Sequence, residues 1–169
     1  MKSGRTPRAP RRQDRRAEQS RHDAYERREK LPEPSVCTDC GALYSSGHWT
    51  WRHGQNDIPP GAHSTICAAC QRIRDRMPAG IVELSGGFLD EHREEILNLA
   101  RNVGETSLKE RPLGRIMEIE ERDDGSMRIT TTDVNTARRI GDSVHQAYEG
   151  ELDLDYAEGD KLVRVDWRR

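Results

Sequence analysis

The chain has 169 residues, of which 33% are hydrophobic and 34% are charged, and its formal net charge is −2 at pH 7. This length predicts one or two small domains, and the low apolar content predicts that part of the chain forms no packed core. No apolar run approaches the roughly 18 residues of a membrane-spanning helix, and residues 1–30 lack the apolar segment of a secretory signal. We therefore expect a cytoplasmic protein without a membrane partner.

The charge is distributed unevenly along the chain. Residues 1–30 contain eleven Lys/Arg against five Asp/Glu, residues 31–79 contain four of each sign, and residues 80–169 contain 13 against 21, which gives +6, 0 and −8. We divide the chain accordingly into a basic arm (1–34), a cysteine module (35–79) and an acidic domain (80–169). Because carboxylates repel phosphate, any nucleic-acid contact is expected in the first half of the chain.

The basic arm contains almost no apolar side chains, so it cannot bury enough surface to offset the entropy of ordering and is predicted to be disordered. Its arginines are typical of an RNA- or ribosome-binding arm that folds on contact. Interspersed acids such as Asp14 and Glu18 equally allow a solvated tail whose charges aid solubility.

All four cysteines of the chain lie in the cysteine module as two Cys-x-x-Cys pairs: Cys37 with Cys40, and Cys67 with Cys70. Two such pairs predict one structural Zn²⁺ bound by four thiolates, a closed site with no position for substrate water. Disulfides would need an oxidising compartment, and a thioredoxin-like redox motif would not explain the second pair. The 26 residues between the pairs exceed the usual interval of about 15–20 residues and indicate an elaborated loop.

Short secondary-structure elements are predicted around the two pairs. Residues 41–44 and 48–52 are typical of strands, and a short helix is expected to start near Cys70 and to end before Pro78 and Gly80. This layout is that of a zinc ribbon, with two knuckles facing each other at the ends of small hairpins.

The candidate nucleic-acid contacts in the cysteine module are Arg72, Arg74, Arg76, Arg52, Trp49 and Trp51. The three arginines that follow Cys70 have no expected core role and are the best candidates for phosphate contacts. The two tryptophans could stack on bases beside Arg52. Alternatively, both indoles pack over the zinc site, which their position on one face of the predicted strand favours. Four cysteines saturate the metal, so His48, His53 and His63 are expected not to be ligands.

The acidic domain shows alternating and helical apolar patterns that predict seven elements. These are a strand at 81–84, a helix at 88–102 stopped by Gly104, strands at 113–122 and 127–131 around a turn at 123–125, a helix capped by Thr132 or Asp133 and ended by Gly150, and strands at 151–156 and 163–168. The order β-α-β-β-α-β plus a final strand predicts a ferredoxin-like α+β sandwich with two helices on one face of an antiparallel sheet.

The alternation also predicts which side chains occupy the other, open face of this sheet. They are Glu118, Glu120, Arg128, Thr130, Glu151, Asp153, Asp155, Arg164 and Arg168. An RNA-recognition motif has stacking aromatic residues on this face, whereas the acidic domain offers carboxylates. We therefore expect the acidic domain to contact a protein partner or to act as a scaffold.

No catalytic motif is recognisable in the sequence. It contains neither a Gly-rich phosphate loop nor a Gly-x-Ser-x-Gly elbow. The polar run at 130–133 is explained by a strand end and a helix cap, and His92 and His145 lie on predicted helices amid charged residues. The protein is therefore expected not to be an enzyme.

The motifs of the chain resemble those of a group of uncharacterised bacterial zinc-ribbon proteins over about residues 35–169. The resemblance is carried by both cysteine pairs with Gln71 to Asp75, by Pro78–Gly80, Phe88 and Leu89, Arg115–Glu120, Ile129–Asp133, Ala137–Gly141 and Ala147–Leu152. The chain is more distantly similar to the nonsense-mediated-decay-three family, which are export adaptors of the large ribosomal subunit, although it has only one set of four cysteines. This similarity implies association with ribosomes or RNA.

The sequence therefore favours a zinc-ribbon adaptor that binds RNA or the ribosome and has no catalytic activity. The alternative is a protein–protein regulatory or assembly factor that never contacts nucleic acid.

Overall fold

The computed structural model describes residues 25, 30–51, 58–157 and 162–169. The predicted disorder of the basic arm therefore concerns residues that lie almost entirely outside the described ones. Within the described ranges the chain forms nine strands and three helices. None of these helices combines the length and the apolar surface needed to cross a membrane.

The cysteine module forms a small sheet and one helix. Its elements are β1 (Ser35–Cys37), β2 (Leu43–Ser45), β3 (His48–Thr50), β4 (His63–Thr65) and α1 (Ala68–Asp75). The sheet order is β3-β2-β1-β4, with β1 and β4 parallel and the other pairs antiparallel. β2 and β3 confirm the two predicted strands. β1 and β4 were not predicted, since three residues are too few to show an alternating pattern.

The acidic domain contains all seven predicted elements in the predicted order. They are β5 (Gly80–Ser85), α2 (Gly87–Glu110), β6 (Ile116–Glu121), β7 (Met127–Thr131), α3 (Val134–Tyr148), β8 (Glu151–Tyr156) and β9 (Val163–Arg168). Asp133 is the N-cap of α3, and its carboxylate accepts a hydrogen bond from the Thr136 amide at 3.0 Å. The domain is a mixed α+β structure, as the sequence predicts.

The order of the five strands differs from the expected ferredoxin-like sheet in its second half. The observed order is β6-β7-β5-β9-β8, with β9 parallel to β5. After α3 the chain first forms the edge strand β8 and then returns as β9 beside β5, so the prediction of an entirely antiparallel sheet was wrong. The apolar side chains of β9 are fully buried, whereas those of β8 are only partly buried and alternate with carboxylates. The more apolar strand occupies the inner position, and the charged strand protects the edge.

Both long helices cover one face of this sheet and enclose the core. Val82 of β5 lies between Ile129 of β7 and Val165 of β9, and all three are fully buried beneath Ile96 and Ile140 of the helices. Because side chains alternate along a strand, the opposite face carries the nine polar residues predicted for it. The predicted open, charged face is therefore confirmed.

Helix α2 does not stop at Gly104, contrary to the prediction, but continues to Glu110. Gly104 is buried, and a β-carbon at this position would lie 2.4 Å from Cδ1 of Ile116 at the start of β6. This glycine therefore permits close packing inside the helix rather than ending it. The additional two turns bring the C-terminal end of α2 to the cysteine module.

We predict that Gly141→Ala destabilises the acidic domain, although alanine favours helix formation. A β-carbon at Gly141 would lie 2.3 Å from Cγ1 of the buried Val165. Overpacking costs about 1–3 kcal/mol, which should outweigh the gain of about 1 kcal/mol from replacing a helical glycine.

Urea unfolding would measure this change, with Gly87→Ala as the matched control. Gly87 lies in the first turn of α2, and a β-carbon there meets no atom within 4 Å. The control should be neutral or stabilising. Equal stability of the two variants would contradict the packing of α3 on β9 described above.

Candidate metal centre

The first cysteine pair lies on a tight turn at the end of β1. The amide of Cys37 donates to the carbonyl of Ala42 at 2.9 Å, and the amide of Gly41 donates to the carbonyl of Cys37 at 2.9 Å. Gly41 has φ of 74°, a left-handed conformation that glycine adopts without steric cost. The turn reverses the chain immediately after Cys40 and directs both thiols of the pair to the same side.

The second pair lies at the N-terminal end of α1. Cys67 is the N-cap, and its sulfur accepts a hydrogen bond from the amide of Cys70 at 3.4 Å. The amide of Cys67 donates to the sulfur of Cys37 at 3.3 Å, which joins the two pairs. Amide donors and the positive end of a helix both favour negatively charged sulfur. The helix starts at Ala68, two residues earlier than predicted, because Cys67 caps it.

The four sulfur atoms converge on one point. All four ligand atoms lie within 4.8 Å of one another, and the sulfurs of Cys40 and Cys67 are 3.8 Å apart. A tetrahedral ion with metal–sulfur bonds of about 2.3 Å needs sulfurs about 3.8 Å apart. All four cysteines are free, and a disulfide would need sulfurs about 2.05 Å apart. The cluster can therefore hold a metal ion, as predicted.

Burial and mutual hydrogen bonding separate the acidities of these thiols. The hydrogen bond between Cys67 and Cys40 lowers the pKa of Cys40 to about 4. The same bond, together with burial, raises the pKa of Cys67. Burial also raises the pKa of Cys70 to about 11. The metal-free cluster thus combines a thiolate with protonated thiols, an arrangement that a divalent cation would replace with bound thiolates.

A cation from the acidic domain lies beside the cluster. Nη1 of Arg115 is 3.3 Å from the sulfur of Cys70, and Nη2 is 3.9 Å from the sulfur of Cys67. Arg115 had no predicted role, because 45 residues separate it from Cys70. No local pattern could have placed it at the cluster.

The three arginines predicted to contact phosphate differ in their surroundings. Arg72 is only 6% exposed and donates from Nη1 to the carbonyl of Met77 at 3.1 Å, so the prediction that it has no core role was wrong. Its place one helical turn after the buried Ala69 directs it inward. Arg74 is exposed and forms an ion pair with Asp39 at 2.6 Å. Arg76, the C-cap of α1, is also exposed.

The two predicted stacking residues, Trp49 and Trp51, are half-buried and pack against the cysteine cluster. The ring of Trp49 lies 5.4 Å from that of Tyr44, and Nε1 of Trp51 donates to the carbonyl of Leu108 at 2.6 Å. This arrangement supports the packing alternative. Arg52, the remaining candidate, lies outside the described residues.

The cysteine cluster is the one group of three or more metal-ligating side chains found within the described part of the chain. His48 and His63 lie on exposed strand positions outside it, and His53 is not described. Comparison of the chain with protein-family models, with curated proteins and with solved structures finds no match. The resemblance inferred from the motifs therefore stays a prediction, and the site is interpreted from its own geometry.

We predict that zinc affinity rises steeply with pH. Near pH 7 a metal must displace the protons of Cys67 and Cys70, whose pKa values are raised. Release of two protons makes the affinity increase about a hundredfold per pH unit below those pKa values. Competition with a chromophoric chelator between about pH 6 and pH 8, corrected for the chelator's own protonation, would measure this slope. A flat profile would show that the thiols are already ionised without metal.

Proposed function

We propose that the protein is a zinc-ribbon adaptor that binds RNA or the ribosome without catalytic activity. The observation that carries this proposal is a closed set of four cysteines from which a helix with two exposed arginines begins. Such a metal centre stabilises a recognition surface and leaves no coordination position for a substrate.

The proposed metal is one structural Zn²⁺, bound by Cys37, Cys40, Cys67 and Cys70. Four thiolates in a tetrahedron are typical of zinc or iron, and the zinc-ribbon resemblance favours zinc. The two cysteine turns, one after β1 and one at the start of α1, correspond to the two knuckles of a ribbon. Reduced thiols also suit a cytoplasmic protein, where disulfides are rare.

Arg74 and Arg76 are the proposed phosphate contacts of the described structure. The side chain of Arg74 is 52% exposed, and its ion pair with Asp39 lies at the surface. Exposed ion pairs contribute only about 0–1 kcal/mol, so a phosphate group can compete for this guanidinium. Arg72 is not among the proposed contacts, because its guanidinium is buried.

A residue of the basic arm is seated on the same helix. The hydroxyl of Tyr25 donates to the Asp75 carboxylate at 3.0 Å, and the guanidinium of Arg72 lies 4.3 Å from the centre of the Tyr25 ring. Arg72 thus serves as an anchor for the arm. This contact supports a binding surface to which α1 and the basic arm both contribute.

The acidic domain supports a protein contact rather than a phosphate contact. Asp166 on β9 lies in register between Glu83 on β5 and Asp153 on β8, on the open face of the sheet. Burial, with the neighbouring charges of Glu83 and Asp153, raises the pKa of Asp166. A face of this kind suits a basic protein surface. It is also what favours the second candidate function, a protein–protein assembly factor that does not bind nucleic acid.

We predict that Arg74→Ala combined with Arg76→Ala weakens co-sedimentation with ribosomes at low salt. Phosphate contacts are strongest there, and removing one phosphate contact to single-stranded RNA should reduce the salt slope of binding by about 0.7. The matched control is Arg101→Ala combined with Arg138→Ala, which removes the same charge from exposed positions of the acidic domain. The control should bind like the unmodified protein.

Absence of the zinc-loaded protein from ribosomal fractions at low salt would contradict RNA or ribosome binding. A shortened chain lacking residues 1–24 then tests the alternative. It retains Tyr25 and also Glu33, whose carboxylate accepts from the amides of Ser46 and Gly47. Partner binding that is unchanged by this deletion and independent of salt would support the protein–protein assembly factor.

A further inference from the structure

The cysteine module and the acidic domain are joined by two contacts in opposite directions. Arg115 of the acidic domain extends to the sulfurs of Cys67 and Cys70. Trp51 of the cysteine module extends to the carbonyl of Leu108 in the last turn of α2. The two side chains also face each other, with the Arg115 guanidinium 5.8 Å from the centre of a Trp51 ring.

Arg115 is fixed by the acidic domain before it reaches the cysteines. Its Nε donates to the carbonyl of Pro112 at 2.7 Å, and its amide donates to the Thr132 hydroxyl oxygen at 2.9 Å. That hydroxyl in turn donates to the carbonyl of Leu113 at 2.6 Å. The guanidinium therefore needs little further ordering to contact the thiolates, so most of its interaction energy is available to join the two parts.

Trp51 satisfies a backbone group that a helix end leaves without an internal partner. The last carbonyls of a helix have no amide to accept from within it, and Nε1 of Trp51 donates to one of them, at Leu108, over 2.6 Å. Leu113, just beyond α2, packs against the cysteine cluster as well. The end of α2 and the cluster consequently share one half-buried contact surface.

Four thiolates around a divalent cation carry a net charge of −2, whereas protonated thiols or disulfides are neutral. A hydrogen bond from a guanidinium to an ionised acceptor is about twice as strong as one to a neutral acceptor. The contact between Arg115 and the sulfurs is therefore stronger when the metal is bound. By thermodynamic reciprocity, the same contact strengthens the binding of the metal.

We infer that Arg115 is an outer-sphere positioning residue of the metal centre, and that metal loading through Arg115 fixes the cysteine module against the acidic domain. This inference rests on the proposed metal occupancy and is independent of RNA binding. It makes the position of the exposed arginines of α1, relative to the acidic domain, dependent on the metal.

The test compares Arg115→Met, Arg115→Lys and the control Arg139→Met. Arg139 pairs with Glu110 at 2.7 Å, so the control removes a guanidinium that joins two elements of the acidic domain without contacting a cysteine. Outer-sphere partners typically change metal affinity about 10–100-fold. We expect Arg115→Met to weaken zinc binding by about that factor, Arg115→Lys to restore part of it, and the control to retain the original affinity.

Cobalt substitution supplies a readout that disrupted packing alone would not change. The thiolate-to-cobalt charge-transfer band reports the electron density on sulfur, so it should shift in Arg115→Met and shift back toward its original position in Arg115→Lys. A folded Arg115→Met variant with unchanged zinc affinity and an unchanged cobalt spectrum would overturn the inference.

A second measurement needs no variant and so does not depend on the folding of any. Hydrogen exchange of the unmodified protein, with and without zinc, should show faster exchange at residues 105–115 and at the Trp51 indole after metal removal. Unchanged exchange at both places would show that metal binding and domain contact are independent, which would overturn the inference even if ribosome binding were confirmed.

Discussion

The described structure of the cysteine module depends on the convergence of four sulfur atoms from two distant turns. The fully buried residues of this cluster are three cysteines and two alanines, with Trp49 and Trp51 packed around them at partial exposure. Such a core is too small to hold several short strands together by burial of apolar surface. A structural zinc site contributes an apparent free energy of about 10–16 kcal/mol, which would offset that deficit.

The same convergence explains why the acidic domain is more than a neighbour of the cysteine module. Leu113 and Arg115 come from the segment between α2 and β6, and both contact the cluster. Burial of negatively charged sulfur without a counter-charge is unfavourable, and the Arg115 guanidinium supplies that charge. The arginines at the far end of α1 face solvent and remain available for a partner.

Alternation and helical periodicity predicted every element of the acidic domain and the composition of its open face. They did not predict the lateral order of the strands, because a pattern of two determines which side chains face the core but not which strands pair. Gly104 was mistaken for a helix stop, although its lack of a side chain serves contact with Ile116. Local pattern alone cannot distinguish these two uses of glycine.

The cysteine spacing predicted the candidate metal centre residue by residue, since ligand identity and spacing are local properties. The surroundings of the centre were predicted less well. Arg72 was assigned to the surface because it is charged, yet the buried Ala69 one turn earlier already indicates an inward position. The contact of Arg115 with the sulfurs arises from tertiary packing across 45 residues and leaves no signal in the sequence.

The central claim is that one metal ion on four thiolates organises the molecule. Native mass spectrometry of the protein, purified under reducing conditions without added metal, tests it most directly. We predict one zinc ion per chain, bound with release of the thiol protons and set free together with unfolding of the native structure on acidification. A folded chain that carries no metal, or one whose mass corresponds to two disulfides, would contradict it.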